Sequence, residues 1–195
     1  GYISPAGKAE VDHVTIATTA NATDFGDLSA AKNGVAALAS ATRGIFAGGY
    51  TPTNLSTIEY LNFESSGGGV SDFGDLLATL NDGMSGSNNT IGIFSRETTT
   101  QFITIASTGD ASEWGGDTTS SRYYGMQSNC SPTRMVIGGG GIPSGVTGTI
   151  DFFTFATRGD AVAFGELSVA RKGIGAGGNS TRGIFAGGYT PSIVD

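Results

Sequence analysis

Apolar residues in this chain come in short runs of five to eight, alternating with polar positions and separated by Gly, Asn, Ser and Asp. That is the pattern of strands and tight turns. β-Branched and aromatic side chains suit a pleated surface, and a period of two puts every second residue on one face. The runs recur: "RGIFAGG" from Arg43, "IGIFSRE" from Ile91, "RMVIGGG" from Arg134 and "RGIFAGG" from Arg182 stand at steps of 48, 43 and 48 residues. A second series is "VDHVTIAT" from Val11, "IEYLNFES" from Ile58, "TQFITIAS" from Thr100 and "IDFFTFAT" from Ile150. A third is "DFGDL" at Asp24 and Asp72, "EWGGD" at Glu113 and "AFGEL" at Ala163, and a fourth is the Gly-containing stretch around Gly34, Gly83, Gly125 and Gly173. Four segment types, each in four copies, cycle in one order.

In the second series Val14 and Ile16, Leu61 and Phe63, Ile103 and Ile105, Phe153 and Phe155 share one face, while His13, Tyr60, Phe102 and Phe152 share the other. Apolar residues on both faces predict sheets covered on both sides. "TTANATDF", "SSGGGVSDF", "STGDASEW" and "TRGDAVAF" put Gly, Asn or Asp where a hairpin needs positive φ. Four-stranded antiparallel units repeated every 40 to 50 residues or so are the signature of propeller blades. With the Gly-rich stretch as first strand, each unit resembles the kelch motif. The resemblance lies in the Gly-Gly ending the second strand, Tyr50 and Tyr189 after it, and the acid plus aromatic of the third (Glu59-Tyr60, Asp151-Phe152). It extends to the aromatic of the fourth (Phe25, Phe73, Trp114, Phe164) and the basic residue opening the next unit (Lys32, Arg122, Arg171). The second unit departs from it, with "IFSRE" for the Gly-Gly and "TLNDG" for the basic opener.

The expected architecture is therefore all-β: one domain over residues 1–195, a four-bladed kelch-like β-propeller. The chain starts on third and fourth strands and stops after first and second strands. These two halves are expected to complete one shared blade, and membership of a larger ring or longer array is the competing reading. The identical "TRGIFAGGYTP" at Thr42 and Thr181 then belongs to ring neighbours.

Seventeen Asp+Glu against ten Lys+Arg, a net charge of −7, argue against nucleic acid and anionic lipid as partners. No apolar run approaches the roughly 18 residues of a membrane span, and one Cys excludes an internal disulfide. His13, the single histidine, fills an aromatic slot of the repeat, and Cys130 a small-residue slot; both read as packing residues. The "DFGDL" acids lack a metal-loop spacing and read as solvated turn and edge acids. "GGGGIPSG" from Gly138 lacks the Lys-Ser/Thr of a phosphate loop. No catalytic residue, metal ligand or cofactor is assigned.

The remaining candidates are loops. Second-to-third connections ("YTPTNLS", "SRETTT", "GGIPSGVTG", and the terminal "YTPSIVD" with "GYISPAGKAE") and fourth-to-first connections are expected on one face. Tyr50, Tyr189, Tyr123 and Tyr124 are the binding candidates there, because a Tyr ring can stack on a sugar while its hydroxyl hydrogen-bonds. The wording of the repeats is also similar to repeat regions of tail-fibre-like virion proteins in marine bacteriophages, including those of cyanobacteria. That resemblance implies a virion or extracellular location, and a non-enzymatic module that binds a cell-surface glycan or protein. Its partners would be other virion or fibre proteins, or further copies of itself, without membrane insertion. A cellular extracellular scaffold or filament block is the alternative. A propeller hydrolase is the third class, while a copper oxidase is disfavoured by the lone His.

Overall fold

The computed structural model describes residues 7–65 and 67–190, and every regular element within them is a strand. A two-stranded sheet, β1 (Lys8–His13) with β2 (Thr23–Lys32), comes first. Three four-stranded antiparallel sheets follow. The first is β3 (Ala36–Ala39), β4 (Arg43–Ala47), β5 (Leu55–Asn62) and β6 (Ser71–Leu80); the second is β7 (Met84–Ser87), β8 (Ile91–Arg96), β9 (Thr99–Thr104) and β10 (Ser112–Glu113). The third is β11 (Gln127–Cys130), β12 (Arg134–Gly138), β15 (Thr149–Thr154) and β16 (Val162–Glu166), interrupted by the small hairpin β13 (Gly141–Ile142) and β14 (Gly145–Val146). A last two-stranded sheet pairs β17 (Gly175–Gly178) with β18 (Gly183–Ala186).

Successive sheets meet through their first strands, which are small enough to approach closely. Ser85 Oγ donates to Ala37 O and Ser87 Oγ to Ala39 O, both at 2.6 Å, and Ser128 Oγ donates to Ser85 O at 2.6 Å. Farther out, the facing sheets bury two apolar layers. Ile45, Ile58, Phe73 and Leu80 of the first complete sheet pack against Phe94, Ile103 and Ile105 of the second. Ile93, Phe102 and Trp114 of the second pack against Met135, Ile137, Phe153 and Phe155 of the third.

The Phe-Gly of the third series has a structural reason. Ile58 faces Gly74 while Glu59 faces Asp72, so Phe73 is an extra residue: a β-bulge. The same slip occurs at Phe25 and Phe164. The glycines that follow have φ of 129° (Gly26), 144° (Gly74) and 153° (Gly165), a region other residues rarely adopt. The bulged aromatic turns onto the third-strand aromatic edge-on: His13–Phe25, Tyr60–Phe73 and Phe152–Phe164 have ring centroids 5.4, 5.9 and 6.2 Å apart. In the second sheet Trp114 makes the same contact with Phe102, but β10 is only two residues long. Gly116, just beyond, packs on the Gly159 backbone with no room for a side chain.

Two points go beyond what the repeat pattern predicts. The shared blade is not made among the described residues: β1–β2 and β17–β18 are separate two-stranded sheets. Val14 and Ile16, on a strand face expected to be covered, are exposed, Ile16 by 98%, and Phe63 is half-exposed. Their counterparts Ile105 and Phe155 are buried because a preceding sheet covers them. The terminal loop residues 1–6 and 191–195 lie outside the described residues.

Candidate functional site

Where a fourth strand passes to the next first strand, the chain meets the end of a second strand. Backbone bridges make the junction: Asn33 with Tyr50, Tyr124 with Gly141, and Lys172 with Tyr189. Gly-Gly supplies the bend, with φ of 66° and 102° at Gly48 and Gly49 and the same signs at Gly139–Gly140 and Gly187–Gly188. A Cβ on Gly49 would lie 3.2 Å from Lys32 Cδ, and one on Gly140 3.5 Å from Arg122 Cδ. The glycines thus leave room for a buried basic side chain.

That base meets the third-strand acid. Lys32 Nζ pairs with Glu59 Oε2, and Arg122 Nη2 with Asp151 Oδ2 at 2.5 Å, all four residues buried. A backbone N–H three residues before each base adds to the acid: Ser29 N donates to Glu59 Oε1 at 2.8 Å, and Thr119 N to Asp151 Oδ2 at 3.3 Å. Burial works against the charged form of Glu59, but the hydrogen bonds from Lys32 and Ser29 outweigh it and hold the carboxyl below its ordinary range. Burial lowers the Arg122 pKa, opposed by the charge of Asp151. In the second sheet base, acid and Gly-Gly are replaced together, by Leu80, Gln101 and Arg96-Glu97, and Leu77 N donates to Gln101 Oε1 at 2.6 Å. These charges are internal braces.

The residue after the base faces outward, and here two of the candidate tyrosines come together. Lys172 Nζ donates to Tyr124 Oη at 2.6 Å, and lies 4.4 Å from the Tyr124 ring centroid and 5.3 Å from that of Tyr189. Both rings are exposed, Tyr189 by 57%. The hydrogen bond to Tyr124, with the nearby Tyr189, raises the Lys172 pKa despite some desolvation. An ammonium flanked by two accessible aromatic faces offers a donor, a charge and stacking surfaces within one patch. Tyr50 belongs to the equivalent corner of the first complete sheet, where Asn33 stands in place of Lys172. Tyr123 is half-buried, and its carbonyl accepts from Arg96 Nε at 3.2 Å. Sequence reading missed Lys172. Its only signal was its place between Arg171 and Gly173, matching Asn33 and Tyr124 in the other units.

The remaining candidates have structural surroundings. Cys130 lines a cavity of about 300 Å³ together with Ala37, Ser85, Ser128 and Gly177 of all four first strands. Burial raises its thiol pKa, opposed by hydrogen bonds from Ser87 and Ser128. Asp24 accepts from Gly26 N at 2.8 Å and holds its bulge, and Asp75 accepts from Ser56 at 3.1 Å. No protein-family model matches the chain, and no curated protein compared with it is significantly similar.

Proposed function

We propose that the chain is a non-enzymatic recognition module, carried on a virion or outside a cell, whose loop face binds a host-surface glycan or protein. The fold reading that goes with it is a four-bladed kelch-like propeller in which β1–β2 and β17–β18 close one shared blade. Three consecutive four-stranded sheets, linked through small first strands around a common cavity, support that reading. The function rests on one observation: Tyr124, Lys172 and Tyr189, from two successive repeats, form an exposed aromatic and cationic patch on an otherwise acidic chain. Sugars suit such a patch, since their C–H faces stack on tyrosine and their hydroxyl or carboxylate groups accept from an ammonium. The viral setting rests on the wording of the repeats.

The test is binding of the purified chain to immobilised neutral and acidic glycans. Lys172→Ala and Tyr189→Ala are each expected to weaken binding about tenfold or more, without moving the melting temperature. Undiminished binding by the double variant would remove this patch from the site. A second reading, an extracellular scaffold or filament block, draws on the open strand edges of the two end sheets. Filaments grown from the pure chain would favour it.

A further inference from the structure

Arg171 holds the base position of a fourth corner, and among the described residues no carboxylate pairs with it. Its Nε is buried without a partner, and its terminal nitrogens make only 3.3 Å bonds to Val169 O and Phe185 O. We infer that Arg171, with the Ser168 N–H three residues before it, is a carboxylate socket whose ligand is Asp12 of the same chain. The socket deepens the shared-blade reading and depends on it.

Three observations specify the ligand. The first is register. β18 repeats the sequence of β4, and β4 pairs with β5 so that Arg43 faces Asn62, Phe46 faces Glu59 and Ala47 faces Ile58. Laid on β1 in the same register, β18 sets Phe185 opposite Asp12 and Arg182 opposite Thr15. Arg182 then covers His13, as Arg43 covers Tyr60 at 4.7 Å and Arg134 covers Phe152 at 4.3 Å.

The second is apolar surface. A cleft of about 480 Å³ lies between the third complete sheet and β17–β18, walled by Val136, Ile150, Phe164 and Phe185. Val14 and Ile16, exposed at the opposite end, are the residues whose counterparts Ile103 and Ile105, Phe153 and Phe155 fill the two earlier junctions. Phe63 and Ile184 are likewise exposed, on surfaces that would meet.

The third is chain economy. Base and acid are both present at two complete corners and both replaced at the other, by Leu80 and Gln101, so the two positions change as a unit. Arg171 and Asp12 occupy the same base and acid positions of the repeat. Ligation within one chain is favoured over a second copy because Ala37 of β3 and Gly177 of β17 already border one axial cavity. A tethered strand also acts at a high effective concentration.

Two measurements on the full chain test this. In a Cys130→Ser background, Thr15→Cys with Arg182→Cys is expected to oxidise to a disulfide within the monomer, because facing strand residues lie within disulfide range. Separately, Arg171→Leu and Asp12→Gln are each expected to lower the melting temperature by about 5–15 °C, since in the closed blade each would leave its partner covered and unpaired. The double variant, which copies Leu80–Gln101, is expected to recover most of the loss. A monomer disulfide with strictly additive variants would overturn the socket and leave closure standing. A disulfide that never forms, or forms only between chains, would overturn closure and the socket together.

Discussion

At the scale of single residues, charge is placed where burial alone would forbid it, and the Lys32–Glu59 and Arg122–Asp151 pairs supply the compensation. Glu59 stays ionised because Lys32 and the Ser29 N–H outweigh its desolvation. Its folded pKa lies below the ordinary 4.5, so the unfolded chain takes up the proton first as pH falls. The stability it contributes is therefore present above about pH 4.5 and is lost as pH drops through the folded value. Lys32→Leu with Glu59→Gln, the pair the second sheet uses, is expected to flatten the dependence of unfolding free energy on pH between 5 and 3. Urea melts across that range would show it, and an unchanged slope would mean that other carboxylates carry it. The acid-plus-aromatic and basic-opener positions were readable in the sequence as a motif. That they touch was not, because Lys32 and Glu59 are separated by two whole strands and brought together only by sheet packing.

Among the elements, the bulge is the recurring device. It explains why "DFG" is written inside a strand, where Gly ordinarily weakens a sheet. Gly74 combines a φ of 144° with a backbone neighbour: a Cβ there would lie 2.5 Å from the Gly109 carbonyl carbon. Gly74→Ala is expected to cost about 1–3 kcal/mol in equilibrium unfolding. Gly148→Ala, with only ordinary contacts beyond 3.4 Å, should stay within about 0.5 kcal/mol. Equal losses at both positions would mean that general glycine entropy, not the bulge, sets the cost. The hairpin tips are a related case. Asp110 Oδ1 accepts from Asp75 N at 2.9 Å and Asp160 Oδ1 from Asp117 N at 3.1 Å, so the first tip clamps β6 and the second the segment just after β10. Turn chemistry predicted the hairpins, but not what their aspartates hold.

For the whole molecule, stability is shared along a chain of sheets, each covered by the next. The end sheets are the weakly covered ones. β17–β18 nonetheless anchors inward: Ile174 is buried, and Phe185 lies on Gly138, where a Cβ would be 2.9 Å from its ring. A chain ending at Asn179, which lacks β18, is expected to melt at least about 5 °C lower and over a broader range. An equally sharp transition at the same temperature would show that this sheet is not part of the cooperative unit. The loop patch also belongs to this scale. Tyr124 and Lys172 are 48 residues apart and meet only because consecutive repeats turn their connections toward one face.

Periodicity by itself determined the strand content, the order of segments, the hairpins and the candidate tyrosines, because repetition of strand and turn chemistry is a local property that survives in the letters. Tertiary structure decided what lies between repeats: which sheet covers which, that the acids and bases of two corners pair in the interior, and that Lys172 joins two tyrosines. Those outcomes depend on the angle and distance between packed sheets. Many small contacts jointly set that geometry, and no single stretch of sequence encodes it.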